Sequence, residues 1–489
     1  MGDPLEIELK LEFEPADKAR LIAALMPDPT AGALRHLVAD YFDTPDLALS
    51  KAGYNLRIRR EGKRRIQTVK AASSSAAGLF VRGEWERPVR GNKPIIDEVA
   101  GPIAQFVDEH VLAKLAPIFV TDIKRVSGPI AVATGSIEYA VDCGEVRAGL
   151  RAMPLLELEL ELKDGSPQLL FDFARQLDEV VPLRLGVRSK SEQGYALIGS
   201  ASAPSFRAEP IRLLPEWNAG QAFVQIAGSC IRQYRLNETL LLTTGGTEAI
   251  HQARVALRRL RSAITLFGPL FTGDPRAELL AAELRWLASE LGAIRDIDVL
   301  LPRLEDIDRA KLAGIREAKV THLLALLQTS RIRQLPIDLT EWLAIGDWQC
   351  GPVDSSVRGR NARKFATVRL DRLRKRIRRD GRKLSHIDSE HRHEVRKDAK
   401  KLRYASEFFV SLYPGRKPRR RLDKFLDCLE DLQDKLGELN DIATAPDVLA
   451  EFGIEAGLPV PGSRAYRRLM DEAAACFDTL TDVKRFWRA

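Results

Sequence analysis

Polar and apolar residues alternate strictly over residues 5–10, Leu-Glu-Ile-Glu-Leu-Lys. Successive strand side chains point to opposite faces, so Glu6, Glu8 and Lys10 share one face and Leu5, Ile7, Leu9 and Leu11 the other. The pattern returns over 155–163, where Glu157, Glu159, Glu161 and Lys163 share a face. An ordinary strand with one wet face reads the same way. Two acidic strands far apart in sequence, each ending in a lysine, can also converge as a carboxylate cage for a hard cation. The same period predicts strands at 36–42, 54–60, 65–70, 83–89, 118–126, 136–141 and 186–189. Glu61-Gly62-Lys63 makes a hairpin of two of them. Asp43-Thr44-Pro45-Asp46 and Asp142-Cys143-Gly144-Glu145 read as turns. Helices are predicted at 16–26 and 167–180, with a helical turn at 47–52 and mostly helix over 95–114.

Eight or so antiparallel strands in the first 200 residues suggest a closed or nearly closed barrel. Its strands carry aliphatics on one face and charges of both signs on the other. Arg57 and Arg59 oppose Leu56 and Ile58, and Glu84 and Glu86 are in phase. A filled barrel would be apolar inside. Here the charged faces line a wet lumen, and the apolar faces lie outside under helices. Residues 201–220, with Pro204, Pro210 and Pro215, read as a linker.

Beyond it the 3.6-residue period takes over, and it repeats. His251-Gln-Ala-Arg254-Val-Ala-Leu-Arg258-Arg259-Leu-Arg261 recurs as His393-Glu-Val-Arg396-Lys-Asp-Ala-Lys400-Lys401-Leu-Arg403. Leu291-Gly292-Ala-Ile-Arg-Asp296 recurs as Leu436-Gly437-Glu-Leu-Asn-Asp441. An offset of roughly 140 residues is too long for a solenoid and predicts a duplicated helical bundle. Positions i, i+3, i+7 and i+10 fall within an arc of roughly 80° on a helix. His251, Arg254, Arg258 and Arg261 therefore form one stripe, and His393, Arg396, Lys400 and Arg403 its twin. A single basic stripe is ordinarily a solvated face. Two twinned stripes make a trough of like charges that costs stability unless an anionic chain fills it, and arginine suits phosphate oxygens. The histidines serve phosphate or the helix end better than a metal, since no acid stands at ligand spacing. Asp296 and Asp441 orient arginines or cap helices. Arg372 to Arg379 form a separate basic run that reads as a solvated face or, alternatively, as an extension of the binding surface.

The fold class is therefore α+β: an N-terminal antiparallel barrel over 1–200, the 201–220 linker, and an all-α domain over 221–489 with repeats of about 221–345 and 355–489. Composition adds a charge split. The chain carries +8 over 489 residues. Residues 1–200 hold 26 Lys and Arg against 29 Asp and Glu, and the remainder 50 against 39. The C-terminal part thus favours polyanions. Neither stripe contains an aromatic residue, although Tyr404 adjoins the second. Single-strand nucleic-acid binders interleave aromatics for base stacking, so nucleic acid fits poorly and a phosphate polymer without bases, inorganic polyphosphate, fits better. Five dispersed cysteines (Cys143, Cys230, Cys350, Cys428, Cys476) argue for a reducing compartment and against a zinc or disulfide framework. No apolar run is long enough to span a membrane, and the N-terminus is unlike a signal peptide. The expectation is a cytoplasmic protein, associated with polyphosphate granules.

The first 200 residues resemble the CYTH family, the triphosphate tunnel metalloenzymes. The resemblance is carried by Glu6, Glu8 and Lys10 as an ExExK signature and by Tyr41-Phe-Asp-Thr-Pro-Asp46. Arg57-Ile-Arg59, Thr68-Val-Lys70, Glu84-Trp-Glu86, Arg125, Asp142, the Glu157/Glu159/Glu161 strand and Ser189-Lys190 also carry it. ExExK alone is a weak signal; the set is specific. The region after the linker resembles the CHAD domain, a histidine-containing α-helical domain, with both repeats and both histidines present. The tandem order is that of bacterial CYTH–CHAD inorganic triphosphatases. The resemblance implies an eight-stranded antiparallel tunnel that binds a linear triphosphate and a divalent metal. By motif match Glu6, Glu8, Glu157 and Glu159 would hold Mg²⁺ or Mn²⁺. Glu161 and Asp142 are further candidates, because a triple ExExE leaves open which two glutamates lead. Lys10, Arg57, Arg59, Lys70, Arg125 and Lys190 would clamp phosphate oxygens. For the CHAD part it implies polyphosphate binding, which the charge pattern reaches independently.

Cations around a triphosphate lower the repulsion met by an attacking water, and positioning with electrostatics supplies most of the catalysis. The expected reaction releases orthophosphate and pyrophosphate from inorganic triphosphate. Glu84 and Glu86 are the candidates for general base, and either can equally pair with an arginine. Thiamine triphosphate hydrolysis and adenylate cyclase activity on the same tunnel are alternatives within enzymes. A non-catalytic polyphosphate-binding scaffold is the alternative outside them.

Overall fold

The alternating segments form one antiparallel sheet of nine strands in the computed structural model of the chain, which describes residues 5–26, 33–71, 77–97, 100–132, 134–199, 204–350, 355–454 and 463–488. The strands are β1 Leu5–Glu12, β2 Ala33–Asp43, β3 Tyr54–Glu61, β4 Arg64–Ala71, β5 Leu79–Pro88, β6 Ala116–Val132, β7 Gly135–Ala148, β8 Arg151–Asp164 and β9 Arg184–Leu185. Their order is β5-β4-β3-β2-β6-β7-β8-β1-β9, and pairing of β5 with β1 closes the ring. Eight strands make the ring. The ninth, two residues long, adds to the end of β1 at Leu11 and Glu12, so the sheet has one strand more than expected. The first compact unit comprises Met1–Pro204 and Leu327–Gly346, and the second Ser205–Leu326 and Asp347–Ala489.

Three local expectations are corrected. Residues 142–145 do not turn the chain but continue β7, with Asp142 opposite Arg125 and Glu157. A Cβ on Gly144 would lie 2.0 Å from the Asp122 carbonyl oxygen, so this glycine serves a close strand approach rather than a bend. The described residues of 95–114 hold only two short helices, α3 Ile103–Phe106 and α4 Glu109–Lys114, after α1 Lys18–Leu25 and α2 Ala48–Lys51. The last strand lies at 184–185 rather than 186–189.

The inverted barrel is found in part. Phe42, Leu56, Ile58 and Val69 pack outward against Leu49 and Ile103, with Val107 and Val111 beside them. Leu9 and Leu11 are fully buried behind β1. One end of the interior is instead apolar: Leu37, Ala39, Tyr41, Phe119, Ile123, Val146 and Leu155 form a cluster with Tyr195 and Leu197 of α6 (Lys190–Ile198). Helix α5 (Gln168–Val180) precedes it. The charged lumen occupies the rest.

The second unit is helical. Its first repeat holds α7 Ala219–Thr244, α8 Thr247–Leu266, α9 Pro275–Leu300 and α10 Asp306–Leu327. Helix α11, Ser330–Ile345, belongs to the first unit, where Arg333 pairs with buried Asp178 of α5 at 2.7 Å. Short α12 (Asp347–Cys350) and α13 (Ser355–Arg358) lead to α14 Ala362–Asp380, α15 Ser389–Phe409, α16 Arg416–Glu451 and α17 Ser463–Asp482. The duplication is visible at the helix caps. Asn218 caps α7 and Asn361 caps α14 through their side chains. The two caps also bridge reciprocally: Ala219 N–H donates to Arg360 and Ala362 N–H to Trp217, both at 2.8 Å. Phe223, Phe267, Phe271, Trp348, Phe365 and Phe409 pack where the repeats join. Among the described residues no helix is long and apolar enough to cross a membrane.

Candidate active site and cation cluster

The open part of the barrel is a cavity of about 350 Å³ whose wall is almost wholly polar. Lys10, Arg57, Arg59, Lys70, Arg125 and Lys190 all line it, as do Glu6, Glu8, Glu84, Glu86, Glu159 and Glu161. Exposure grades along its length. At the apolar end Lys10 and Asp142 are 2% and 0% exposed. At the other end the Glu138 and Lys163 side chains are 42% and 41% exposed.

Strand register explains the deep end. Lys10 of β1 stands opposite Glu159 of β8, and Asp142 of β7 stands between Arg125 and Glu157. Helix α6 delivers the sixth cation. Ser189 caps it in a capping box with Glu192, so Lys190 opens the helix at the cavity wall. Gly194 lets this helix lie on Phe119, where a Cβ would meet the ring at 2.2 Å. Lys190 Nζ donates to Asp142 at 2.8 Å and Glu159 at 2.7 Å and also contacts Glu157. Lys10 Nζ reaches Glu157 at 3.0 Å, Glu8 at 3.1 Å, and Glu159. Arg125 forks onto Asp142 at 2.7 and 2.6 Å and onto Glu159 at 2.8 Å.

Carboxylate oxygens of Asp142, Glu157 and Glu159 lie within 4.8 Å of one another. This all-oxygen donor set suits a hard divalent cation. Asp142, one of the two further candidates, is thus a member of the group, and Glu161 stands apart, paired with Lys163 at 2.6 Å. Glu6 and Glu8 are outside the group: Glu6 pairs with Lys70 at 2.9 Å and Glu8 with Lys10. Burial raises the pKa of all three carboxylates in the group, but the neighbouring cations decide the outcome differently. For Glu159, Lys10, Lys190 and Arg125 outweigh burial and hold it well below the usual range. Asp142 is lowered likewise by Lys190 and Arg125. Burial wins at Glu157, which is raised.

On the opposite wall Glu84 lies 3.0 Å from Lys70 and 3.9 Å from Arg57. Glu86 accepts from Thr68 at 2.9 Å and lies 3.5 Å from Arg59. Both candidate bases therefore hold cations in place. Arg59 remains undercompensated: burial and then Arg57 depress its pKa more than Glu86 restores it. Alternation missed Arg35, Glu61 and Glu138, which line the cavity in phase with the residues it found. Period-two extension of the 57–59 and 36–42 strands would have reached Glu61 and Arg35, which lie 3.8 Å apart.

In the second unit the stripes converge only in their middle. Arg254 and Arg258 of α8 meet Arg396 and Lys400 of α15: burial, and with it the charge of Arg258, depresses the pKa of Arg254, Arg396 and Lys400. Lys400 is pushed down to about 7. The repeated Leu-Gly motif has a role here: a Cβ on Gly292 would lie 3.5 Å from the Arg254 guanidinium, and one on Gly437 would lie 3.4 Å from that of Arg396. The charge of Asp296 partly offsets Arg254, and those of Asp296 and Asp441 partly offset Arg396. Arg261 instead meets Arg285, and Arg403 pairs with Glu407 at 3.1 Å. The histidines differ. His393 Nδ1 is 2.7 Å from Asn440, whereas the position matching Asn440 in the first repeat is Arg295, which with burial depresses His251. Tyr404 is buried and accepts from Arg258 at 2.7 Å, so its ring is not offered for base stacking. In the separate basic run Arg372, Lys375, Arg376, Arg378 and Arg379 are exposed, while Arg374 is turned inward onto the Thr481 and Val483 carbonyls.

Comparison with known proteins agrees with both halves. The CYTH domain family model matches residues 4–195 and the CHAD domain family model residues 225–450. An inorganic triphosphatase of Haemophilus influenzae is 34% identical over 206 residues, 40% of this chain and 55% of that protein. The chain thus spans about half the length of that relative. The solved CHAD domain of the plant Ricinus communis is 28% identical over 56% of this chain and 94% of its own, with a TM-score of 0.45. A putative adenylyl cyclase from Hippeastrum, whose structure is described as revealing a dominant triphosphatase activity, is 18% identical over 39% and 95%, with a TM-score of 0.31. The chain therefore carries a CYTH domain followed by a CHAD domain.

Proposed function

We propose that the barrel hydrolyses inorganic triphosphate to pyrophosphate and orthophosphate, and that the helical unit binds inorganic polyphosphate. One observation carries the first part: six cations line one cavity together with Glu159, whose carboxylate lies within 4.8 Å of those of Asp142 and Glu157. A linear triphosphate gives Lys10, Lys190, Arg57, Arg59, Lys70 and Arg125 oxygens to replace the carboxylates they now contact. The low dielectric of the deep end strengthens each contact. Arg125 and Arg57 offer forks, and the lysines offer point charges.

The same exchange bears on the metal. Lys10 and Lys190 now occupy the trio as its cations. Once phosphate draws them away, Asp142, Glu157 and Glu159 would hold Mg²⁺ or Mn²⁺, with Glu6 and Glu8 on the adjoining strand. Such an ion, when bound, neutralises charge on bridging oxygens and orients water. The protein's own residues fix the chain, strip its solvent and hold its charge.

The test is phosphate release from tripolyphosphate by the purified chain with Mg²⁺ or Mn²⁺, beside ATP and thiamine triphosphate as competing substrates. Glu159→Gln and Arg57→Ala should each lower kcat/KM by on the order of 10²–10³, and chelator should abolish turnover. Near-wild-type rates in both variants would reject this site. Faster turnover of ATP or thiamine triphosphate would keep the site but change the substrate.

A further inference from the structure

The start of α16 carries charge of the wrong sign for a helix N-terminus. Residues 416–424 read Arg-Lys-Pro-Arg-Arg-Arg-Leu-Asp-Lys. The first turn of a helix offers free N–H groups and partial positive charge, which favour acids. Here it contains no acid, no side chain caps it, and Gly415 leads in at φ 110°. Arg416, Lys417, Arg420, Arg421 and Lys424 are spaced three and four apart on an arc of about 140°, where like charges repel.

A second element completes the patch. Thr479, Asp482, Val483 and Lys484 join these residues around a concavity of about 830 Å³. Six cations and one acid line it. Arg416, Lys417, Arg420, Lys424 and Lys484 are exposed, and among the described residues no ion pair engages them. The nearby Asp423 is taken by Arg419 at 3.1 Å. The segment bearing Lys484 is held in place rather than frayed. Phe486 packs edge-on to Tyr413, Trp487 packs edge-on to Phe425, and Trp487 donates to Asp371 at 2.8 Å.

The patch is separate from the α8–α15 cluster. His393 and Arg403 of that stripe lie beside Asn440 and Glu430 of α16. Arg420 is ten residues before Glu430, roughly 15 Å along the axis. No aromatic side chain lines the concavity, so bases have nothing to stack on. Arginine forks and exposed lysines suit closely spaced phosphate oxygens.

We propose that this concavity is a second docking surface for inorganic polyphosphate, gripping a further stretch of a long chain than the α8–α15 cluster reaches. The proposal rests on the reading of the helical unit as a polyphosphate binder. It is tested by competition binding of long-chain polyphosphate, tripolyphosphate and single-stranded RNA to the full chain at matched salt. The variant is Arg416→Glu with Arg420→Glu and Lys424→Glu. Acids at a helix start favour the helix, so circular dichroism should match wild type. Affinity for long chains should fall about tenfold or more, and the slope of log affinity against log salt should shrink by roughly 2. Tripolyphosphate affinity should be unchanged. Long-chain affinity within twofold of wild type would overturn the second surface alone. A larger loss for RNA than for polyphosphate would assign the surface to nucleic acid and overturn it too. If wild-type protein binds no polyphosphate, the underlying reading fails with it.

Discussion

Lys190 and Lys400 are the same side chain in opposite surroundings. Burial depresses the pKa of each. At Lys190 the carboxylates of Asp142, Glu157 and Glu159 more than reverse this and raise it. At Lys400 the neighbours are Arg258, Arg396 and Arg254, which Asp441 offsets only in part, and the pKa falls to about 7. The sign of the consequence follows. Above pH 7 the free protein holds Lys400 increasingly neutral, and a bound anion restores its charge. Binding therefore takes up a proton, and affinity falls as pH rises from 7 towards 9. Calorimetry of polyphosphate binding in buffers of different ionisation heat should show this uptake in wild type. Lys400→Arg, whose charge is fixed, should show much less and a flatter pH profile. Equal uptake in both would remove Lys400 from the coupling.

At the scale of elements, Asp43 links the sequence motif at 41–46 to the cavity. Its buried carboxylate accepts the Thr44, Leu49 and Ser50 N–H groups at 2.8 to 3.0 Å and the Tyr195 hydroxyl at 2.8 Å. One acid thus ties the end of β2 and α2 to α6, the helix that opens with Lys190. Asp43→Ala leaves two buried donors, on Thr44 and Leu49, and two half-buried ones, on Ser50 and Tyr195, without this partner, and each buried one costs about 1–3 kcal/mol unless water replaces it. A loss of about 3 kcal/mol or more in denaturant unfolding is expected, with a raised KM for tripolyphosphate. Wild-type stability would show the tie to be dispensable. This motif was legible only as a resemblance, since its turn residues say nothing of Tyr195. The charged faces of β1, β3 and β8 were legible outright, because a buried wall of charge leaves a strict period of two. Residues 142–145 misled for a definite reason. Asp and Gly favour turns, yet Gly144 is chosen for strand contact and Asp142 for the carboxylate trio. Apolar filling of one barrel end was equally hidden, because Leu37, Tyr41 and Leu155 share a phase with charged residues on their own strands.

For the whole molecule, the split of charge predicts two different responses to salt. The barrel half has nearly balanced charge, and the cations that line its cavity are little exposed: the Lys10, Lys70 and Lys190 side chains are no more than 10% exposed. The remainder carries eleven more basic than acidic residues, many of them open to solvent. Screening acts strongly on exposed charges and weakly on buried ones. Between 50 and 200 mM salt, polyphosphate affinity should fall by about 10² or more. KM for tripolyphosphate should rise only about two- to fivefold, by the weaker screening of buried pairs. His251→Ala with Arg258→Ala should weaken polyphosphate binding and leave tripolyphosphate turnover near wild type. Titrations of both ligands on both proteins across that salt range decide it. Parallel slopes would place the two ligands in one electrostatic environment, and loss of turnover in the double variant would show that anion binding in the helical unit governs chemistry in the barrel.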